Sequence, residues 1–316
     1  MYDKEKVIVL KFGSSVLRDE SDLPLAVHEI YRWWRQGARV LVVTSAFGNT
    51  TDQLLQRAES ICARPERSAL AALLATGEAA SSALLSLALN RAGIPAKVLD
   101  PAQAGLRTAG GTMDADLIAV DVARLRGELR KAVVVLPGFI GRGENGNTTP
   151  LGRGGSDFSA LFLAHRLRGQ CILLKDVDGI YASDPAPATT RPVRFAELKY
   201  ETASQLAGRV VQPKAIRFAA SQRVPFMVTS IGSAHQTIVG SKADHLAVRP
   251  MQAAPLRVAL LGCGTVGGGV YQALAPLPEL FTVTGVGTCN VERALAAGVP
   301  ALLIREDLEE LIEGVM

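Results

Sequence analysis

Residues 148–159 read Thr-Thr-Pro-Leu-Gly-Arg-Gly-Gly-Ser-Asp-Phe-Ser, setting an arginine and an aspartate among glycines. The run follows an apolar strand pattern at Ala132–Pro137 and leads into a helical pattern over Asp157–Arg168. A flexible loop and a helix N-terminus at the carboxyl end of a strand offer free backbone N–H groups and a positive dipole end, which favour anions and phosphate above all. Arg153 is suited to clamp a carboxylate or phosphate through two parallel hydrogen bonds. Asp157 places a carboxylate where a cationic side chain or a Mg²⁺ needs holding. The run does not fit the G-x-x-x-x-G-K-[ST] pattern of a P-loop. A plain surface linker is the alternative reading.

The elements that must position this loop follow a regular alternation. Val7–Phe12, Arg39–Thr44, Ala96–Leu99, Ala132–Pro137 and Cys171–Lys175 read as strands, and Leu23–Gln36, Thr51–Ser60, Leu70–Ala92, Asp116–Lys131 and Asp157–Arg168 as helices. Continuous apolar strands separated by helices predict a mostly parallel sheet covered on both faces, with ligands beyond the carboxyl ends of its strands. The candidate motifs fall at those ends: Lys11–Val16, Ser45–Asp52, Gly138–Asp157 and Asp176–Pro185.

At 316 residues the chain is long for a single core, and 48% hydrophobic against 20% charged residues describes a folded protein. A net charge of +4 with scattered Lys and Arg and only 5% aromatics gives no nucleic-acid signature, while a mild positive bias suits an enzyme of anionic substrates. Cys62, Cys171, Cys263 and Cys289 lack metal-ligand spacing and read as buried or idle thiols. The N-terminus does not read as a signal peptide, and no apolar run reaches the roughly 20 residues of a membrane span, so the expectation is a cytoplasmic protein with no membrane partner.

The pattern breaks at Ser241–Pro255 and a second unit begins. Leu256–Leu261 reads as a strand, followed by Gly262-Cys263-Gly264-Thr265-Val266-Gly267 and a helix to Leu274. Strands at Phe281–Val286 and Ala301–Ile304, a helix over Val291–Ala297 and another from Asp307 follow. The glycines Gly262, Gly264 and Gly267 stand in the strand–turn–helix context of a dinucleotide-binding motif. The second strand, however, ends in Gly285-Val286-Gly287-Thr288, with no acidic residue to hold a ribose. With about 60 residues the unit is roughly half such a fold, so the expectation is weak NAD(P) binding at best and no dehydrogenase activity.

Taken together, residues 1–247 resemble the amino acid kinase family and, within it, the aspartokinases. The motifs come in the family's order: Lys11-Phe12-Gly13-Ser14-Ser15-Val16, then Thr44 to Asp52 (TSAFGNTTD), then Ala75-Thr76-Gly77-Glu78 with Ser81, then Gln103-Ala104-Gly105, then Leu151 to Asp157, then Asp176 to Pro185 (DVDGIYASDP). Residues 258–269 resemble the opening of homoserine dehydrogenases, to which aspartokinases are fused in bifunctional enzymes. The resemblance implies an amino acid kinase-type three-layer α/β sandwich with a mostly parallel sheet over 1–247. A linker at 248–255 and a partial Rossmann-type α/β unit at 256–316 follow, and the chain is expected to be a truncated or shortened fusion.

The implied reaction is ATP- and Mg²⁺-dependent phosphorylation of the L-aspartate β-carboxylate, feeding synthesis of lysine, methionine, threonine and isoleucine. The resemblance gives Lys11, Asp157 and Arg209 catalytic roles, and Thr51, Glu78, Arg153 and Ser156 substrate-binding ones. Within that set Arg153 holds a substrate carboxylate and Glu78 the ammonium, and Asp157 orients the catalytic cations. Gly13, Ser14, Ser15, Lys175, Asp176, Asp178, Tyr181 and Asp184 take ATP, no side chain is assigned to metal, and a homodimer is implied. The chain departs from the aspartokinase pattern in several places. Lys175 stands where Ser or Thr is usual, Arg209 where Lys is usual and Pro150 where Thr is usual, and the opening motif has the single glycine of glutamate 5-kinases. No regulatory small-molecule-binding repeats follow residue 247. A glutamate kinase and a non-catalytic aspartate- or nucleotide-binding module therefore stand as alternatives.

Overall fold

A computed structural model describes residues 6–182, 193–206, 208, 210–247, 255–278, 280–305, 307 and 311. The chain divides into two compact units, Met1–Ala247 and Val248–Met316. The first is built on β1 (Val7–Phe12), whose six residues are all buried. Val7 and Val9 enter one apolar cluster while Ile8, Leu10 and Phe12 enter another. Each side chain of a strand points opposite to its neighbour, so an unbroken apolar run has to be covered on both faces.

Strand β1 lies between β2 (Arg39–Thr44) and β9 (Gln170–Leu174), parallel to both. The other strands of the unit are β3 (Ala96–Val98), β4 (Arg107–Gly110), β5 (Ala115–Ala119), β6 (Val133–Pro137), β7 (Ile140–Arg142), β8 (Thr148–Pro150), β10 (Phe195–Lys199), β11 (Phe226–Thr229), β12 (Thr237–Gly240) and β13 (His245–Leu246). Nine of them form one sheet in the order β13-β10-β12-β11-β9-β1-β2-β6-β3. Its pairings are parallel except β11 with β12 and β10 with β13.

The helices are α1 (Leu23–Trp34), α2 (Thr50–Ile61), α3 (Arg67–Arg91), α4 (Val122–Leu129), α5 (Gly155–Leu167), α6 (Tyr200–Leu206) and α7 (Pro213–Gln222). Side chains of α4, α5 and α7 pack on one face of the sheet, and those of α1 and α3 on the other. The result is a three-layer α/β sandwich with a mostly parallel sheet. Helix α3 is 25 residues long and apolar enough to cross a membrane by length and composition, where the sequence reading found no apolar run of roughly 20 residues. It buries Leu74, Glu78, Leu85 and Leu89, the pattern of a core helix.

The second sheet, β5-β4-β7-β8, has no counterpart in the sequence reading. Helix Asp116–Lys131 is corrected here: its first four residues belong to strand β5, where Ala115 and Leu117 are buried and Asp116 and Ile118 exposed. Five alternating residues run straight into α4, whose N-cap Asp121 accepts from the Arg124 N–H, so the two periods merge in the sequence. Residues Thr148–Pro150, read as loop, pair with β7 as β8.

In the second unit, β14 (Leu256–Leu261), β15 (Phe281–Gly287) and β16 (Ile304–Arg305) form a parallel sheet in that order. Helices α8 (Thr265–Leu274) and α9 (Val291–Ala296) follow β14 and β15. Ala301–Leu303, read as strand, is a short 3₁₀ turn. Of the helix read from Asp307, most residues lie outside the described set. Cys171 and Cys263 are buried, Cys62 and Cys289 exposed.

Candidate active site

Strands β1 and β9 end side by side, with Phe12 in register with Leu174. Lys11 therefore projects from the last turn of pleat in β1, and Lys175 directly follows β9. Between them stands Asp157 from the first turn of α5. The Lys11 ammonium lies 2.8 Å from Asp157 Oδ1. The Lys175 ammonium donates to Oδ2 at 2.8 Å and to Oδ1 at 3.1 Å. All three residues are buried, yet all three line a cleft of about 890 Å³, a volume usual for small-molecule sites. Burial pushes the Asp157 carboxyl up, but Lys11 and Lys175 outweigh it and hold the group at about 2. Burial pulls the Lys175 ammonium down, opposed by Asp157 and reinforced by Lys11. Asp157 thus holds both ammonium groups.

The loop Leu151–Gly154 borders the same cleft. Gly152 (φ +72°) and Gly154 (φ +80°) adopt left-handed conformations. A Cβ at Gly154 would meet the Gln212 side chain at 2.3 Å, and one at Gly152 would meet Asp114 Oδ1 at 2.3 Å. Glycine is needed at both for conformation and for space. The loop is tied down by Lys214 in the first turn of α7. Its ammonium donates to Leu151 O at 2.8 Å, Asp114 Oδ1 at 2.7 Å and Ala115 O at 2.9 Å, and pairs with Asp116 at 3.1 Å. Arg153 is left exposed at the cleft wall.

Behind the loop, Glu78 of α3 is buried. Its Oε2 accepts from the Phe139 N–H and its Oε1 from the Ser156 hydroxyl at 3.0 Å. Burial pushes its carboxyl up to about 7, against the pull of these donors and of Lys11. A carboxyl titrating near neutrality beside an anion cleft is a recurrent mark of functional sites. Glu78 does not line the cleft as the protein stands; Ser156 does.

The remaining sequence candidates divide. Ser15, Asp176, Gly179 and Tyr181 line the cleft with Ser45, Phe139 and Leu206. Gly13 turns the chain after β1, its carbonyl accepting from Val16 and Leu17, and a Cβ there would come within 3.1 Å of the Lys11 ammonium. Ser14 is exposed in that turn. Asp178 accepts from the Tyr181 hydroxyl at 2.6 Å and so shapes the turn without lining the cleft. Thr51, half-buried in the first turn of α2, is not brought to the cleft lining. Arg209 and Asp184 lie outside the described residues. Lys214, Gln212 and the Phe139 N–H were missed by sequence reasoning. Only Gln212-Pro213-Lys214, with proline at a helix start, carried a local signal.

In the second unit, Gly262 (φ +96°) follows β14, Gly264 caps α8, and a Cβ at Gly267 would lie 2.0 Å from the Gly262 carbonyl. The three glycines thus shape a strand–turn–helix crossing.

Among the described residues no three His, Cys, Asp or Glu side chains gather as metal ligands. Of the two carboxylates among the described residues that line the cleft, Asp157 is held by two ammonium groups and Asp176 is exposed. The residues present do not fit a metal held by protein side chains.

A three-layer α/β sandwich with a lysine-flanked carboxylate and a glycine-rich helix start at its strand ends defines an anion-handling α/β protein. The model of the amino acid kinase family matches residues 6–230, and the chain belongs to that family. It is 31% identical to an aspartokinase of Geobacillus stearothermophilus over 325 residues, covering 97% of this chain and 78% of that one. It is 34% identical to an aspartokinase of Thermus thermophilus over 229 residues, covering 71% of this chain and 56% of the relative. The chain thus spans little more than half the length of several curated relatives. Among solved structures, the aspartate kinase of Synechocystis superposes with a TM-score of 0.66 at 31% identity, over 81% of this chain and 43% of that one. Aspartokinase III of E. coli superposes with a TM-score of 0.64 at 23% identity, over 75% and 65% of the two chains, a likeness of fold.

Proposed function

We propose that this chain transfers the terminal phosphoryl group of ATP to the β-carboxylate of L-aspartate, giving an acyl phosphate. The observation that carries the reading is Asp157 held between Lys11 and Lys175 at the floor of a cleft walled by the Arg153 loop. Relatives at 31–34% identity named aspartokinase support the choice of acceptor. Phosphoryl transfer asks little covalent work of a protein; it asks for two anions to be brought in line and for charge to be neutralised. A carboxylate oxygen forms the new bond to phosphorus while the bond to the ADP oxygen breaks and that oxygen keeps the electron pair. Lys11 neutralises charge on the moving group, Asp157 fixes the lysine's direction, and the N–H groups at the start of α5 face the anion. Arg153 takes a carboxylate of aspartate, and Glu78, freed from Ser156, its ammonium. Gly13, Ser14, Ser15, Asp176, Asp178, Tyr181 and Asp184 form the nucleotide segment, with Arg209 as a further cation. Mg²⁺ brought in with the nucleotide would supply further charge neutralisation, and no step is assigned to it.

In the same reading residues 1–247 are the kinase domain, a homodimer is the working assembly and the cytoplasm its place. Residues 256–316 form a dinucleotide-type unit whose second strand ends without an acidic residue. Hydroxylamine trapping tests the acceptor. With ATP and Mg²⁺, L-aspartate is expected to yield a hydroxamate and L-glutamate none; the reverse preference would place the chain with the glutamate kinases.

A further inference from the structure

Helices α5 and α7 run into β9 and β11, neighbouring parallel strands with Cys171 in register with Phe226. Both helices therefore end at the edge of the sheet where these strands begin. The cleft with Lys175 lies at the other end of β9, about 17 Å away for a strand of five residues. At the near edge a hollow of about 430 Å³ has His165, Arg166, Arg168 and Arg223 in its walls, and no Asp or Glu among the described residues. Arg168 and Arg223 cap the two helices at φ +53°, and no other described residue except glycine has a positive φ. That backbone suits glycine and is costly for a residue with a side chain.

No structural task of the two side chains offsets that cost. The helix-end carbonyls of Ala164, His165, Ala219 and Ala220 accept from the backbone N–H groups of residues 168, 169, 223 and 224, bonds that glycines would make equally. The Leu167 carbonyl accepts from Arg126 of α4 at 3.1 Å. Among the described residues the guanidinium groups of Arg168 and Arg223 have no ion pair, hydrogen bond or ring contact. Arg166 lies over the Phe162 ring at 5.8 Å. The macrodipole accounts for part of the charge, since two helix C-termini amount to about one negative charge against three guanidinium groups. Nearby acids do not supply the rest: Glu128 of α4 is paired with Lys97 at 2.9 Å, and Asp157 stands at the far end of α5. Planar guanidinium forks match phosphate oxygens, and two forks on one hollow match two phosphate groups. We propose that this hollow is a second anion site, for a small molecule carrying two or more phosphate groups held by Arg168 and Arg223. The site takes no part in phosphoryl transfer and is independent of what the cleft binds.

Calorimetric titration of the full chain with pyrophosphate tests the site, using the double variants Arg168→Gly/Arg223→Gly and Arg168→Lys/Arg223→Lys. Glycine is the residue this backbone prefers, so the thermal midpoint of the glycine pair is expected at or above that of the wild type. The glycine pair should weaken one pyrophosphate-binding component at least tenfold. The lysine pair, which keeps the charge without the fork, should fall between. Arg153→Ala, altered at the cleft, should leave that component within twofold of the wild type. A sugar bisphosphate tells an ester from the inorganic anion: tighter binding of either, lost with the two arginines, supports the site and identifies the source. Pyrophosphate bound equally by the wild type and the glycine pair, or by neither, would overturn the proposal. Citrate bound more tightly than both phosphate probes would overturn the assignment to phosphate.

Discussion

Glu78 sits 3% exposed, and its burial outweighs its hydrogen-bond donors, so its charged form is the costly one. With its carboxyl raised from 4.5 to about 7, the folded chain binds more protons than the unfolded chain between those values. Stability contributed by this group is therefore full below about 4.5 and falls as pH rises to about 7, by something on the order of 2–3 kcal/mol. Glu78→Gln keeps an acceptor for the Phe139 N–H and a donor for Ser156 and carries no charge. Denaturant unfolding of Glu78→Gln should lack that decline across pH 5–7; the same slope in both proteins would assign it to other groups. Asp157 behaves oppositely: its contribution is present above the ordinary carboxylate range and is lost only as pH falls through about 2. At this scale the sequence was partly legible. Lys11 and Asp157 stand out only through the ordered motifs they sit in, since a lysine at a strand end and an aspartate in the first turn of a helix each have an ordinary structural reason. The engagement of Glu78 with Phe139, 61 positions away, has no local signature.

Elements decide where those residues point. The central strands were read correctly because buried parallel strands are unbroken apolar runs. Strands β4, β5, β7 and β8 were not, because three to five residues of weak alternation next to a helix give no separable period. That small sheet matters to the site, since Asp114 and Leu151, bridged to each other just outside β5 and β8, are two of the anchors of Lys214. Lys214 fixes the loop that carries Arg153, and Gln212 fills the space over Gly154. Lys214→Met should therefore loosen the loop and raise KM for aspartate about tenfold or more, with KM for ATP changed far less and Lys214→Arg partly restoring it. Equal rises for both substrates would place the effect at the phosphates instead.

Across the whole molecule, two compact units share one chain. The first has a nine-stranded sheet with apolar clusters on both faces and a cleft where β1 and β9 end. The second has three strands and a small cluster around Tyr271, Val286 and Ala294. Its glycines make the strand–turn–helix crossing legible from sequence, whereas the short third strand was overestimated because Ala301–Leu303 is apolar without being extended. The chemistry assigned to this protein thus belongs to residues 1–247, and its central claim is one reaction at one cleft. The most direct measurement is ADP release by the full chain with Mg-ATP, alone, with L-aspartate and with L-glutamate, beside Lys11→Ala. Turnover dependent on aspartate, and lowered by orders of magnitude in a folded Lys11→Ala, is the predicted result. Turnover that ignores aspartate, or a Lys11→Ala variant as fast as the wild type, would contradict it.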